Sequence, residues 1–151
     1  MSDELESLIN KNLMQELYSI RHFLEKYEPY FPLHKCIKTS FLVSHLTGLE
    51  TSSGFWIPKH RQKNDWEYKM HEDQSHTWNY DPSSELYIDL TQDQFSETSK
   101  KIVILPRNNQ VLKEISSENK NNQYFLTDND FSKWIILARR QYHQEVTVNH
   151  F

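Results

Sequence analysis

This sequence has little cysteine, little glycine and no long apolar run, and each scarcity argues against a class of protein. Its single cysteine, Cys36, rules out an intramolecular disulfide, so we expect a reducing compartment. Two glycines in 151 residues, with 13% aromatic residues, argue against a disordered or low-complexity chain. No apolar stretch approaches the ~20 residues of a transmembrane helix, so we expect no membrane partner.

The charge of the chain is also modest. A formal net charge of -4 at pH 7 gives no electrostatic reason to expect a nucleic acid or an anionic membrane as a partner. The first residues, MSDELESLIN, are acidic where a secretory signal peptide would be basic. We therefore predict a single domain over residues 1–151 and a cytoplasmic location. A protein exported by a signal-free route would have the same features.

Apolar residues at three- and four-residue spacing predict three helices. In the first helix, acidic residues crowd the first turn, where the helix dipole favours them, and two prolines follow its end. Gly48 stands just beyond the end of the second helix, where glycine is the common terminator. The predicted helices run from Ser2 or Asp3 to the loop that starts at Glu28, from Lys35 or Cys36 to about Leu46, and from Asp128 or Asp130 to about Gln144.

Strand-forming residues are concentrated in the middle of the chain. Residues 76–80 and 85–91 flank Asp81-Pro82-Ser83-Ser84, a sequence typical of a type I turn in a four-residue hairpin loop. Residues 101–106 read as a further strand, whereas the pattern of Thr51–Ser75 predicts no particular structure. Helices first, antiparallel strands next and a helix last indicate the α+β class, with the N-terminal helices packed on the sheet.

Cys36 is predicted to lie in the first turn of the second helix. The positive end of the helix dipole stabilises a thiolate at that position, and the thiolate is the form of cysteine that attacks an acyl carbon. A lone cysteine is more often a small buried apolar residue, so this position alone does not identify an enzyme.

The hairpin supplies a base for such a thiol. If Asp81–Ser84 is the loop, then Trp78 faces Tyr87 and His76 faces Asp89, and directly opposed residues share one face of a sheet. A carboxylate beside an imidazole fixes its tautomer and stabilises its protonated form. A slip of one residue would separate the pair, and a surface hairpin with an incidental His–Asp contact is the plain alternative.

The order of these residues resembles the papain-like and transglutaminase-like cysteine enzymes. The resemblance rests on Cys36-Ile-Lys-Thr-Ser40-Phe-Leu42, on His76-Thr-Trp78, and on Asp89-Leu-Thr91 with Gln94-Phe95, and it covers roughly residues 36–95. It implies a cysteine-dependent acyl transferase or hydrolase acting on an amide or thioester, with a protein or peptide substrate and no cofactor. By the same resemblance Cys36 is the nucleophile, His76 the general acid and base, and Asp89 its orienting partner.

The chain departs from the family pattern in two places. Papain-type enzymes carry a glutamine six residues before the cysteine, which donates to the oxyanion, and Tyr30 stands there instead. The tryptophan that adjoins the cysteine of transglutaminases is replaced by Ile37. An oxyanion donor contributes roughly 3 kcal/mol to catalysis, so a substitute is needed. The side chains considered for this role are Asn12, Gln15 and Gln94.

Two other classes of function fit the same sequence. A non-catalytic protein-binding module that keeps the fold would explain the missing glutamine, with the aromatic-bearing segment Thr51–Ser75 as its binding surface. A zinc site could be built from His34, Cys36, His71 and His76, but structural zinc sites generally use paired ligands such as CxxC, so we predict no metal.

Overall fold

The computed structural model describes residues 5–33, 35–57, 75–96, 99–114 and 129–149. Within these ranges three helices and one five-stranded antiparallel sheet form an α+β fold, which confirms the predicted class. The helices are α1 (Lys11–Tyr27), α2 (Cys36–Thr47) and α3 (Asn129–Asn149). The strands are β1 (Glu50–Trp56), β2 (Ser75–Asp81), β3 (Leu86–Asp89), β4 (Val103–Pro106) and β5 (Leu112–Glu114).

The sheet has the strand order β4-β3-β2-β1-β5, so β2 is its central strand. The prediction found β2, β3 and β4, although β4 begins two residues later than expected, at Val103. The strands β1 and β5 were not predicted. In β1 the residues Ser52, Ser53 and Gly54 have little intrinsic preference for a strand, and pairing with β2 and β5 determines their conformation.

Helix α2 is the central helix of the apolar core. It contacts β1 and β2 as well as both other helices, and its residues Leu42 and Val43 are completely buried. The core also contains Leu17, Ile20 and Leu24 of α1, Ile88 of β3 and Ile104 of β4, each with no exposed surface. None of the helices among the described residues is long and apolar enough to cross a membrane.

The helix boundaries agree with the prediction at α2 and differ at the other two helices. Helix α2 begins at Cys36 and ends at Gly48, whose φ of 82° lies in the left-handed region that glycine tolerates. The predicted start at Ser2 or Asp3 lies outside the described residues, and residues 5 and 6 are helical. The helix is interrupted over residues 7–10, and α1 begins at Lys11, where the Asn10 side chain accepts a 2.7 Å hydrogen bond from the Asn12 N–H and caps it. Helix α3 continues five residues beyond the predicted end.

The hairpin β2–β3 has a register two residues away from the predicted one. Asp81 pairs with Leu86 and Tyr80 with Tyr87, so the loop comprises residues 82–85 rather than 81–84. Asp81 remains in the sheet because its carboxylate accepts hydrogen bonds from the Ser83 N–H and the Ser84 hydroxyl, while Glu85 takes a positive φ of 59°. A shift of two residues keeps every side chain on its original face, so His76 and Asp89 still share one.

Gly54 lies directly across from His76 in the β1–β2 ladder and next to β5 on its other side. A Cβ atom at this position would lie 1.9 Å from the backbone oxygen of Lys113, so only glycine allows β5 to approach this closely.

We expect Gly54→Ala to lower the free energy of unfolding by about 3 kcal/mol, because β5 must move to relieve a contact with backbone. Gly48→Asn is the matched control: nothing lies within 4 Å of its Cβ position, and asparagine tolerates the left-handed conformation. Urea denaturation measures both variants. A Gly54→Ala protein as stable as the wild type would contradict this close approach of β5.

Candidate active site

A buried histidine–aspartate pair joins β2 to the end of β3. His76 Nε2 lies 2.7 Å from Asp89 Oδ2, and the two side chains are 0% and 1% exposed. A charged pair this deeply buried is stable only when its hydrogen bonds are nearly ideal. The two residues are not directly opposed, since Asp89 is diagonal to His76 across the ladder, yet both side chains lie on the same face and meet.

The Asp89 carboxylate is fixed by the turn that follows β3. Its Oδ1 accepts hydrogen bonds from the Thr91 N–H at 3.0 Å and the Thr91 hydroxyl at 3.4 Å. Its Oδ2, which contacts His76, also accepts a 3.2 Å hydrogen bond from the Gln92 amide. Thr91 and Gln92 are themselves buried. The carboxylate therefore has one orientation, which is the orientation that receives the imidazole.

Cys36 is the first residue of α2, as predicted, and its thiol is partly buried. Cys36 raises the pKa of the His76 imidazole, although less than Asp89 does. Because Asp89 occupies Nε2, the nitrogen that faces away from the carboxylate is Nδ1, and within the described ranges Nδ1 is buried without a hydrogen-bond partner of good geometry. Asp89 and Cys36 therefore both influence the same imidazole.

The surroundings of His76 favour its protonated form. Burial by itself lowers the pKa of His76, but the charge and hydrogen bond of Asp89, together with Cys36, raise it to about 10. His45, at the other end of α2, behaves in the opposite way, because desolvation and the charge of Arg139 lower its pKa. At neutral pH the His76 ring therefore carries a proton on each nitrogen, and the Nδ1 proton needs an acceptor.

Aromatic side chains enclose the imidazole. The Phe95 ring meets it edge to face, with centroids 4.9 Å apart, and Trp78 lies at 5.8 Å on the same strand. Trp56 of β1 stacks on Phe95 with centroids 4.7 Å apart and an angle of 6° between the rings. These apolar neighbours exclude water from the ring, which strengthens its interaction with Asp89.

Asn79 fixes the helix that carries Cys36 to the strand that carries His76. This side chain is 1% exposed, and its amide nitrogen donates to the Ser40 carbonyl at 2.9 Å and to the Glu50 carbonyl at 3.3 Å. Ser40 lies one helical turn after Cys36. The hydrogen bond to Ser40 therefore determines how far along β2 the beginning of α2 lies.

The residue in the position of the family glutamine does not reach the site. Tyr30 is 87% exposed and has a φ of 61°, so its hydroxyl belongs to the surface. Asn12 and Gln15 are exposed on the first turns of α1, and the start of α1 borders the C-terminal end of α2 beside Thr47, roughly 18 Å from Cys36 by helix length. Gln94 is the remaining candidate donor, since it adjoins Phe95, which contacts the imidazole.

The proposed zinc ligands cannot be compared as a set, because His34 and His71 lie outside the described residues. In the part of the chain that is described, no group of three or more His, Cys, Asp or Glu side chains is arranged to hold a metal ion. The Nε2 atom of His76 is already bound to Asp89.

The sequence reasoning missed several residues that build this site. Thr91 was named only as part of the motif that resembles the family, whereas its N–H and hydroxyl both donate to Asp89. Gln92 and Asn79 were not singled out, although a polar residue inside a strand-like or apolar run is a signal for a buried hydrogen bond. In residues 87–92 (Tyr-Ile-Asp-Leu-Thr-Gln), this pattern of a polar residue beside apolar ones would have pointed to Gln92.

No protein-family model matches the chain, and neither the curated proteins nor the solved structures contain a match.

We expect the protein to lose stability as the pH rises from 6.5 towards 10, because His76 is charged in the folded state over this range and neutral in the unfolded state above 6.5. The loss, measured by urea denaturation at pH 6 and pH 10, should be at least about 1.4 kcal/mol, the equivalent of one pKa unit.

The difference between the wild type and His76→Gln isolates this contribution from other groups that titrate at alkaline pH. His143→Gln, a variant of an exposed histidine on α3, should keep the wild-type dependence. Equal slopes for the wild type and His76→Gln would contradict the assignment of a protonated His76.

Proposed function

We propose that this protein is a cysteine-dependent acyl-transfer enzyme in which Cys36 is the nucleophile, His76 the general acid and base, and Asp89 the residue that orients His76. The observation that carries the proposal is the buried 2.7 Å contact between His76 Nε2 and Asp89 Oδ2. Cys36 supports it, because it also raises the pKa of the His76 ring. This is the arrangement that nucleophilic catalysis by cysteine requires. The order of the three residues in the papain-like and transglutaminase-like enzymes supports it.

In the first step, Cys36 is a thiolate beside the His76 imidazolium, because the thiol proton already lies on the ring. The sulfur attacks the carbonyl carbon of an amide or thioester, a C–S bond forms, and the carbonyl electron pair moves to oxygen. When the tetrahedral intermediate collapses, the bond to the leaving amine or thiol breaks. The His76 Nδ1 proton goes to that leaving group, and the acyl group stays on Cys36 as a thioester.

In the second step, His76 is neutral and acts as a base. It takes a proton from water or from an acceptor amine, which attacks the thioester carbon. The C–S bond breaks, and the sulfur leaves as the thiolate that began the cycle. Water as the acceptor gives a peptidase or deamidase, and a protein amine gives a transglutaminase. The substrate class that we propose is a protein or peptide, and a free thiol of this kind suits a reducing compartment.

The negative oxygen of the intermediate needs donors close to Cys36. The first N–H groups of a helix point out of its start, and α2 has no side-chain cap from Lys35 to compete for them. The Cys36 N–H is therefore the first donor in this proposal. Gln94 is the second, since it is the candidate side chain that adjoins the ring contacts of His76.

A non-catalytic binding module is the second candidate function. It is favoured by Tyr30, which stands where papain-type enzymes carry the glutamine that donates to the oxyanion. Because Tyr30 is exposed, it does not replace that donor. In that case the His76–Asp89 pair would serve only to hold β2 and β3 together.

Reaction with iodoacetamide separates the two functions, and the single cysteine makes the labelled position unambiguous. An activated Cys36 should be alkylated at pH 6 at least about ten times faster than a simple thiol, which is mostly protonated there. His76→Ala should remove this advantage and move the rate profile to higher pH. Intact-mass measurement over a pH series follows the label.

The control for this experiment is His143→Gln, which should react like the wild type. A rate profile that resembles a simple thiol in both the wild type and His76→Ala would reject the enzyme and favour the binding module.

Trapping of an acyl-enzyme tests the chemistry directly. An activated aryl ester or peptide thioester should leave one acyl group on Cys36, detected as a mass increase that Cys36→Ser lacks. We expect Asp89→Asn to lower the turnover number by roughly 10³–10⁴-fold with little change in KM, because the imidazole loses the partner that fixes its tautomer. Turnover by Asp89→Asn at the wild-type rate would exclude the orienting role.

A further inference from the structure

The Arg21 side chain lies outside the candidate active site, yet it is buried, with 3% of the residue exposed. It projects from the middle of α1 and reaches the segment that follows β3, about seventy positions later in the chain. A guanidinium removed from water in this way must be satisfied by the protein.

Arg21 binds the two ends of one short turn. Its Nη1 donates to the Leu90 carbonyl at 2.7 Å and to Asp93 Oδ1 at 2.8 Å, and its Nη2 donates to Asp93 Oδ2 at 2.6 Å. A longer hydrogen bond of 3.4 Å joins Nη1 to the Lys101 carbonyl. The guanidinium also lies 4.7 Å from the centre of the Phe31 ring. The paired contacts with Asp93 give this side chain one orientation.

The middle of the same turn holds the candidate active site. Thr91 and Gln92, the two residues between Leu90 and Asp93, are those that donate to the Asp89 carboxylate. The turn is therefore fixed from α1 on one side and fixes Asp89 on the other. Movement of Leu90 or Asp93 would change the donors that aim the carboxylate at His76.

A contact that only attached α1 to the rest of the protein would not need the paired hydrogen bonds between Arg21 and Asp93. Lys26, on the same helix, makes an exposed ion pair with Glu145 of α3, and such pairs contribute little and orient nothing. Residues Ile20 and Leu24 already attach α1 to the core through apolar contacts. The bidentate pair of Arg21 and Asp93 costs desolvation free energy. That cost is best explained if the pair fixes the orientation of the groups that it joins.

We propose that Arg21 is a positioning residue of the candidate active site, which acts through Leu90 and Asp93 to hold the turn that aims Asp89 at His76. Its catalytic meaning rests on the proposed function, whereas its effect on the Asp89–His76 contact does not. Asp89 and Cys36 are the charged or titratable groups that act on His76, so a less constrained Asp89 weakens the larger of two stabilising interactions.

The test is an NMR titration of the His76 ring nitrogens in the full chain, assigned by their loss in His76→Gln. Asp93→Asn keeps the size of the side chain and Arg21→Lys keeps its positive charge, and neither keeps both charged hydrogen bonds. We expect the His76 titration midpoint in each to fall by about one pH unit. Alkylation of Cys36 at pH 6 should slow in the same variants.

Two controls distinguish positioning from plain destabilisation. Lys26→Met removes the ion pair between α1 and Glu145, and Ile20→Val destabilises the same helix through its core; both should leave the His76 midpoint unchanged. A wild-type midpoint in Asp93→Asn and Arg21→Lys would overturn the proposal, and so would an equal shift in Ile20→Val.

The outcomes also separate this inference from the proposed function. A shifted midpoint in a protein whose thiol never forms an acyl-enzyme would support Arg21 and reject the enzyme. Normal acyl transfer with unshifted midpoints would do the reverse.

Discussion

The buried contact between His76 and Asp89 constrains the rest of the structure. An imidazolium and a carboxylate lose their hydration when they are buried, and they remain charged only where neighbouring groups replace that water. The turn after β3 does this for Asp89 with three hydrogen bonds from Thr91 and Gln92. The aromatic rings around His76 then exclude solvent, so the pair interacts in surroundings of low dielectric constant.

The position of Cys36 depends on a different part of the chain. The helix α2, which begins at Cys36, packs on β2, and Asn79 holds the Ser40 carbonyl at a fixed height along that strand. Helix packing alone would allow α2 to slide, whereas a buried amide that bridges Ser40 and Glu50 does not. Local interactions thus orient Asp89, and a long-range polar contact positions the helix that carries Cys36.

The sequence allowed the main elements and the histidine–aspartate pair to be predicted for identifiable reasons. Gly48 and the prolines before Cys36 define the limits of α2, and strand formers define β2 and β3. The hairpin register was wrong by two residues, because the prediction counted Asp81 in the loop, whereas Asp81 pairs with Leu86 and binds the turn from the end of β2. The pair survived the error because strand geometry repeats every two residues.

What could not be predicted depends on partners that are distant in the chain. Strand β1 is a strand because β2 and β5 flank it, and its serines carry no local signal. The Arg21–Asp93 pair spans 72 positions, and no periodicity or motif links the two residues. Tyr30 shows the converse: sequence spacing places it where papain-type enzymes carry glutamine, but its backbone is left-handed and its side chain is exposed to solvent.

The uncapped start of α2 has a consequence for how this protein balances stability against chemistry. Most helices begin with a serine, threonine, aspartate or asparagine whose oxygen occupies the first N–H groups, and this contributes about 1 kcal/mol. Lys35 forgoes that contribution. The first N–H groups of α2 therefore have no side-chain acceptor and can donate to an oxygen of a molecule bound beside Cys36. The same feature that leaves these donors open makes the first turn the least stabilised part of the helix.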